Sequence, residues 1–341
     1  YVWSEQSKGV GHYAKYADNR VNESDTENLL IQLAMENSAR SGNPIDQRSI
    51  DQVAKEIQQD VDENKARRVY DSPSKGVLWG WEVTSYVWTK AIATGTFLMM
   101  AIYQFMNGPL DRTVEISGLY TSLIFMGLTG ALLVKDLDRP DRFLYVLLRP
   151  QWRSWLVRGA YIITIFGGMV VLLLIDYYFE VGLKWAWSIG AVFAVLGAIY
   201  TAFLFNQARG RDLWQTPWIG AIHMLVHAII AGSVIMIMID TGSTSIMRSI
   251  LYFSILLNVF IILKEVFIPH DTPDSKKAIQ MMTNGYYSRY FWPGVVLGSL
   301  LPFLILTVST GHELVAGVMA LIGIFLTEFV RIRVPQMIPL S

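Results

Sequence analysis

The chain has 341 residues, of which 52% are hydrophobic and 16% charged, and its formal net charge is zero. A neutral balance does not favour a nucleic-acid partner, and we expect none. The sequence contains no cysteine, which excludes disulfides, thiolate nucleophiles and cysteine-ligated iron–sulfur clusters within it. Any such cluster is expected on a partner or on an upstream segment.

Residues 1–80 have a water-soluble composition and are predicted to form an extramembrane arm or linker that is partly helical. Ser24 or Asp25 could cap a first helix, and Asp46 could cap a second. Both helices have only a thin apolar stripe. The arm therefore has too little apolar area to form a core of its own.

The rest of the chain contains repeated apolar stretches of about 20 residues, enough to cross about 30 Å of hydrocarbon as helices. Eight spans are predicted, at 83–106, 115–134, 157–176, 184–206, 217–240, 247–269, 292–310 and 315–332. An even number places both ends of the membrane region on one face, which we call face A. The connections on face A are longer and more polar than those opposite, and they are 135–156, 207–216 and 270–291.

Arginine and lysine are much more frequent on face A than on the opposite face. The positive-inside rule then predicts that face A and both termini are cytoplasmic, although arginines with a function would bias the same count. The connection 133–159 is unusually rich in charge for a loop between membrane helices. Its charged residues are Lys135, Asp136, Asp138, Arg139, Asp141, Arg142, Arg149, Arg153 and Arg158.

Ionisable side chains within the spans are candidates for function, because each costs at least ~2.5–3.5 kcal/mol on insertion scales. Most of them fall in the half of their span nearest face A. Lys90 lies eight residues after Glu82, on roughly the same helix face, with Tyr86 between them. The residues in this half are Glu82, Lys90, His223, His227, Lys264, Glu265 and Glu328.

The same charges have a structural interpretation. Lys90 could pair with Glu265, and Arg331 with Glu328 at a three-residue step, simply to neutralise each other. Structural pairs should, however, be scattered over both halves of the membrane. We therefore favour a functional interpretation for the cluster as a whole.

His223 and His227, four residues apart on one helix face, raise the question of haem or metal. Two axial haem ligands must come from different helices, and only His12, His270 and His312 could pair with them. His12 is outside the membrane and His312 is on the opposite face. A di-haem cytochrome b is therefore excluded, and no metal site is predicted. A proton relay, a quinone contact and hydrogen-bonded packing remain open as roles.

Four segments resemble the NrfD/polysulfide-reductase membrane-subunit family. They are 79–99, 132–161, 200–217 and 264–273, the last followed by GYYSRYFWPGVVLG. The family includes the quinone-reacting subunits of alternative complex III and of several molybdopterin oxidoreductases. The resemblance covers about residues 77–332. It implies an all-α integral membrane domain over residues 81–335, with eight transmembrane helices as two four-helix bundles and no haem.

The resemblance also implies a multi-pass protein of the bacterial inner membrane with a pocket for menaquinone or ubiquinone, bound non-covalently. In a relative, quinone contacts come from the start of the first span, where this chain has Glu82, Val83 and Tyr86, a tyrosine where an imidazole is expected. The implied partners are an iron–sulfur protein and a further catalytic or cytochrome subunit. Residues 1–80 resemble the linker that follows a ferredoxin-like domain in fused relatives.

We therefore expect a quinone/quinol-binding subunit of an oxidoreductase complex that exchanges electrons with an iron–sulfur partner and is not active alone; whether it translocates protons is left open. The residues predicted to bind quinone are Glu82, Tyr86, Asp136, Arg139, Arg142 and His223. Those predicted to transfer protons are Lys90, Asp138, His227, Glu265 and Glu328. Those predicted to dock the partner are Arg149, Arg153 and Arg211.

Two other classes remain. The deep charges, Lys90 among them, would also suit a secondary transporter or proton channel, although no convincing inverted repeat is visible. A structural membrane anchor for a redox enzyme is the second alternative, but it would have no use for charges inside the membrane.

Overall fold

The computed structural model describes residues 79–137, 143–208, 211–240, 242, 244–267 and 272–338. Most of the predicted arm, with its two helices, lies outside the described residues, as do Asp138, Arg139 and Arg142. The described residues contain helices and no strand. In chain order the helices are α1 (Trp81–Asn107), α2 (Arg112–Asp136), α3 (Phe143–Leu148), α4 (Trp155–Phe179), α5 (Trp185–Asn206), α6 (Pro217–Ile239), α7 (Thr244–Phe267), α8 (Pro273–Thr283), α9 (Ser288–Val308) and α10 (Glu313–Met337).

Seven of these helices are long and apolar enough to cross a membrane, which indicates a multi-pass membrane protein. They are α2, α4, α5, α6, α7, α9 and α10. Helix α1 is also long, at 27 residues, but its composition is more polar. It packs against α2, α5, α6 and α10, and almost every residue from Val83 to Met100 is buried. A helix enclosed by protein does not need an apolar surface facing lipid. Its mean hydropathy can therefore be low even if it crosses the membrane.

Helices α1 and α6 cross at two glycines. A Cβ on Gly95 would collide with the backbone of Ala228, and a Cβ on Gly232 would collide with the backbone of Gly95. Gly298 in α9 and Gly323 in α10 make a similar contact. Small residues at such crossings let helix backbones approach closely, which in lipid is a main source of helix association.

The two ends of the membrane region meet at face A. The amide N–H of Trp79 donates to Gln336 Oε1, and Gln336 Nε2 donates to the Trp79 carbonyl, both at 2.9 Å. In the connection between α5 and α6, Arg211 Nη1 donates to the carbonyls of Pro335 at 3.0 Å and Ile338 at 2.5 Å. The start of α1 and the end of α10 therefore lie together.

Two helices lie in connections that were predicted as loops. Helix α3 lies within 135–156 and α8 within 270–291. The start of α8 has the residues typical of a helix N-terminus. Thr272 Oγ1 accepts from the Ser275 N–H at 3.2 Å, and a proline occupies the first turn. Helix α9 begins at Ser288, before its predicted start at 292, and forms a π turn at Val296–Leu300, three residues after Pro293.

Candidate functional site

Seven polar side chains from four helices form a buried network in the half of the bundle nearest face A. Two lie on α6, two on α7, one on α9 and two on α10. The histidines on α6 are only 1% and 2% exposed. The members are His223, His227, Asn258, Glu265, Ser299, Glu328 and Arg331.

The two histidines of the network share one face of α6. Pro217 occupies the first turn of the helix, so His223 lies about two turns in and His227 one turn deeper. Their ring centroids are 4.2 Å apart. The four-residue spacing recognised in the sequence thus places the two imidazoles side by side, tilted by 55° to each other.

Asn258 joins the two histidines. Its Oδ1 lies 2.7 Å from His223 Nε2 and 3.1 Å from His227 Nε2. Its Nδ2 donates to Ser299 Oγ at 3.0 Å. One amide on α7 therefore contacts both imidazoles of α6 and the hydroxyl of α9.

Two carboxylates and an arginine complete the network. His227 Nδ1 lies 3.0 Å from Glu328 Oε1. Arg331 Nη2 lies 2.9 Å from Glu265 Oε1, and Arg331 Nη1 lies 3.2 Å from His223 Nε2. The pairs suggested by the structural interpretation of the sequence, Lys90 with Glu265 and Arg331 with Glu328, are wrong. Spacing along one helix could not reveal that α7 brings its carboxylate to Arg331.

Lys90 lies beside the network rather than within its hydrogen bonds. Its Nζ donates to the Ala198 carbonyl at 3.2 Å and to Thr201 Oγ1, and it lies 4.4 Å from the centroid of the Tyr200 ring. Lys90, His227 and Glu328 line one small cavity of about 10 Å³. That is about the smallest space that holds a water molecule.

A pocket of about 440 Å³ lies at face A, between the ends of α5, α6, α7 and α10 and the start of α8. Its size falls in the range typical of small-molecule sites. Its polar wall includes His223, Glu265, Glu328 and Arg331, and Lys264 also lines it. Its apolar wall includes Phe205, Met224, Ile261 and Ile332.

The other predicted quinone contacts lie elsewhere. None of Glu82, Tyr86 and Asp136 lines this pocket. Glu82 Oε1 lies 3.6 Å from Lys135 Nζ, Tyr86 is 2% exposed, and Asp136 interacts electrostatically with Tyr86. The structure thus forms two groups where the sequence predicted one. Tyr86 belongs to an apolar cluster whose members Phe205, Met224 and Ile332 also line the pocket, so an apolar layer separates the groups.

The predicted docking arginines differ in their surroundings. Arg149 and Arg153 are exposed, and the Arg149 guanidinium lies 5.7 Å from the centroid of the Tyr145 ring. Trp152 beside them is 56% exposed. Arg211 instead bonds to carbonyls at the end of α10, and partial burial lowers the pKa of its guanidinium. Arg211 therefore has a structural role in addition to any contact with a partner.

A metal ion is a poor fit to the network. His223, His227 and Glu328 do place potential ligand atoms within 4.8 Å of one another. However, the guanidinium of Arg331 lies 3.2 Å from His223 Nε2, and a fixed positive charge at that distance disfavours a second cation. We therefore interpret these side chains as a hydrogen-bonded network.

Sequence reasoning missed Asn258 and Ser299 and considered Arg331 only as an ion-pair partner. Asn258 interrupts an apolar run in α7, and a buried amide in such a run needs hydrogen-bond partners. That rule could have flagged it. Ser299 carried no comparable signal, because serines commonly bond to their own helix backbone.

The sequence matches one protein family. The profile of the family described as polysulphide reductase, NrfD matches residues 72–339, which is most of the chain. No curated protein matches the chain. The match includes all the membrane helices and every residue of the buried network. The chain therefore belongs to the NrfD polysulphide reductase family, whose members are membrane subunits of oxidoreductase complexes.

Proposed function

We propose that this chain is the quinone-binding and quinol-binding subunit of an oxidoreductase complex and exchanges electrons with an iron–sulfur partner at face A. The observation that carries the proposal is a ring nitrogen, unpartnered in the described part of the chain, on His223, which lies at the wall of the 440 Å³ pocket. His223 is buried, and its Nδ1 has no hydrogen-bond partner among the described residues. An unpartnered buried nitrogen at a pocket wall is suited to a ligand oxygen.

The chemistry of the pocket wall fits a quinone headgroup. A quinone offers two acceptor oxygens and a quinol two hydroxyl donors. Arg331 can only donate, whereas an imidazole nitrogen donates or accepts according to its tautomer. Phe205, Met224 and Ile261 provide apolar surface for a ring and the start of a tail. When bound, the quinone would supply a couple of two electrons and two protons, with the electrons passing to the partner.

The protons of quinol oxidation have acceptors within the same network. His223, Glu265 and Glu328 line the pocket, and His227 lies behind them with its Nδ1 3.0 Å from Glu328 Oε1. Lys90 follows across the small cavity. Ionisable groups inside a membrane protein commonly mark proton relays, which supports proton transfer by these residues. Asp138, also predicted for this role, lies outside the described residues.

The finer architecture follows from the same proposal. Helix α1 would be the eighth span, since 27 residues rise about 40 Å as an α-helix. One four-helix bundle would then be α1, α2, α4 and α5, and the other α6, α7, α9 and α10. We place the domain boundary near residue 80, the membrane domain at 81–335, and face A on the cytoplasmic side of a bacterial inner membrane, as the basic residues predict. Exposed Arg149 and Arg153 would dock the partner.

The experiment compares the two groups of predicted quinone contacts in the intact complex. His223→Gln is expected to lower the affinity for a quinone analogue at least about tenfold, the loss of one good hydrogen bond. Tyr86→Phe and Asp136→Asn test the other group of predicted quinone contacts, the one around Glu82. Arg139 and Arg142, also predicted to bind quinone, lie outside the described residues.

If His223→Gln binds the analogue as the wild type does and Asp136→Asn does not bind it, the quinone headgroup binds in the group around Glu82 and not beside His223. If the wild type does not bind the quinone analogue, the structural-anchor interpretation would replace this proposal. If liposomes that contain the protein also take up a substrate, the transporter interpretation would replace it instead.

A further inference from the structure

The amide of Asn258 makes two contacts that constrain the protons on both histidines. Its Oδ1 faces His223 Nε2 at 2.7 Å and His227 Nε2 at 3.1 Å. A carbonyl oxygen only accepts hydrogen bonds. In this orientation both Nε2 atoms must therefore carry a proton. The remaining Nδ2 of the amide donates to Ser299 Oγ at 3.0 Å.

The amide turned by 180° makes an equally complete set of bonds. Its Nδ2 then faces the imidazoles and offers one hydrogen to each Nε2, so both nitrogens must be bare. Its Oδ1 faces Ser299, whose hydroxyl can donate as readily as it accepts. The oxygen and nitrogen of an amide have nearly the same shape, so no neighbouring heavy atom has to move.

We infer that Asn258 couples the two histidines, so that His223 Nε2 and His227 Nε2 are either both protonated or both bare. A mixed state, with one nitrogen protonated and the other bare, leaves a buried donor or acceptor facing the wrong end of the amide. All three side chains are at most 2% exposed, and an unsatisfied donor or acceptor is costly at such buried positions. Asn258 is thus a positioning residue that joins two proton sites into one unit.

The two nearest charges favour the arrangement in which both Nε2 atoms are bare. Arg331 can only donate to His223 Nε2, and so favours a bare nitrogen there. The carboxylate of Glu328 lies 3.0 Å from His227 Nδ1, and so favours a proton on that atom and a bare Nε2. Protonation of both Nε2 atoms favours the orientation in which Asn258 Oδ1 faces them. Among the described residues, the other charged groups that line the pocket and the small cavity are Lys90, Asp212, Lys264 and Glu265.

This coupling goes beyond the proposed function, because it follows from the hydrogen bonds and does not depend on what occupies the pocket. It makes the change at the two Nε2 atoms a two-proton event. The histidine pair is therefore expected to respond as one site when protons arrive from either side.

The test is ¹⁵N solid-state NMR of the full chain in lipid bilayers with labelled histidine, because the nitrogen shift distinguishes protonated from bare Nε2. His223→Gln and His227→Gln assign the signals. In the wild type both Nε2 atoms are expected to change with a single shared midpoint as pH is varied. In Asn258→Leu, which removes the amide, the two midpoints are expected to separate by about one pH unit or more.

Two further variants separate coupling from a structural role. Asn258→Asp has nearly the same shape but only acceptor oxygens when ionised, so both Nε2 atoms are expected to stay protonated throughout the titration. It gives a result even if Asn258→Leu does not fold. Ser254→Ala, one turn earlier on α7, removes a hydroxyl that bonds the Ile250 carbonyl of its own helix and should keep the shared midpoint. Separate midpoints in the wild type, or a shared midpoint in Asn258→Leu, would overturn the inference.

Discussion

Glu265 and Arg331 form an ion pair of 2.9 Å that joins α7 to α10 at the wall of the face-A pocket. The two residues are far apart in the sequence and lie on different helices. The pair therefore depends on the packing of the two helices. It also positions the guanidinium against His223.

Breaking this pair should destabilise the protein more than removing it altogether. Glu265→Gln and Arg331→Met each break the ion pair from one side, and removing one member of a buried pair typically costs about 3–5 kcal/mol. The double variant should recover part of that loss, giving a favourable coupling energy in a double-mutant cycle measured by unfolding in detergent. Arg112 and Glu180 form an exposed pair at 3.1 Å and provide the control, since their removal should have a much smaller effect. Additive single effects at Glu265 and Arg331 would contradict the prediction.

The crossing of α1 and α6 should be intolerant of a single methyl group. Gly95→Ala places a Cβ against the Ala228 backbone, so the helices must move apart, and overpacking of this kind typically costs about 1–3 kcal/mol. The measurement is the melting temperature of the purified protein. Gly127→Ala in α2 is the matched control, because a Cβ there meets no atom within 4 Å and alanine favours a helix. Equal melting temperatures for the two variants would count against the close crossing.

Glu328 should matter for proton transfer and not for folding alone. Glu328→Gln keeps the shape of the side chain but removes the carboxylate beside His227, so quinol oxidation by the intact complex should fall by about 10²–10⁴-fold. The rate is measured with the electron acceptor in excess. Glu313→Gln on the same helix removes a carboxylate paired with Arg248 at the opposite end and should leave the rate nearly unchanged. A rate in Glu328→Gln equal to that control would exclude a role in proton transfer.

Arg149 and Arg153 should affect partner binding without affecting stability. Both are exposed, so the double variant Arg149→Ala/Arg153→Ala should unfold like the wild type but bind the iron–sulfur partner more weakly, with a smaller dependence of affinity on salt. Arg211→Ala should show the reverse pattern, because its guanidinium bonds two carbonyls at the end of α10. Co-purification across a salt series and thermal unfolding measure the two effects. Unchanged affinity in the double variant would place the docking surface elsewhere.

Much of the fold could be predicted because hydropathy and depth are local properties. A run of about 20 apolar residues specifies a span, and a rise of 1.5 Å per residue places each polar side chain at a known depth. His223, His227, Glu265 and Glu328 were therefore correctly expected to lie at similar depths near face A. The family could be recognised from the same local segments, and the match over residues 72–339 confirms it.

What only the tertiary structure decided is which helices face one another. Depth along a helix does not specify which way the helix is turned or what packs beside it. The sequence therefore could not assign Arg331 to Glu265, place Asn258 between the histidines, or separate Tyr86 from His223. The polar residues of α1 face protein because other helices surround it, which composition alone does not show. Composition along the chain determined the spans, and contacts between distant spans determined the network.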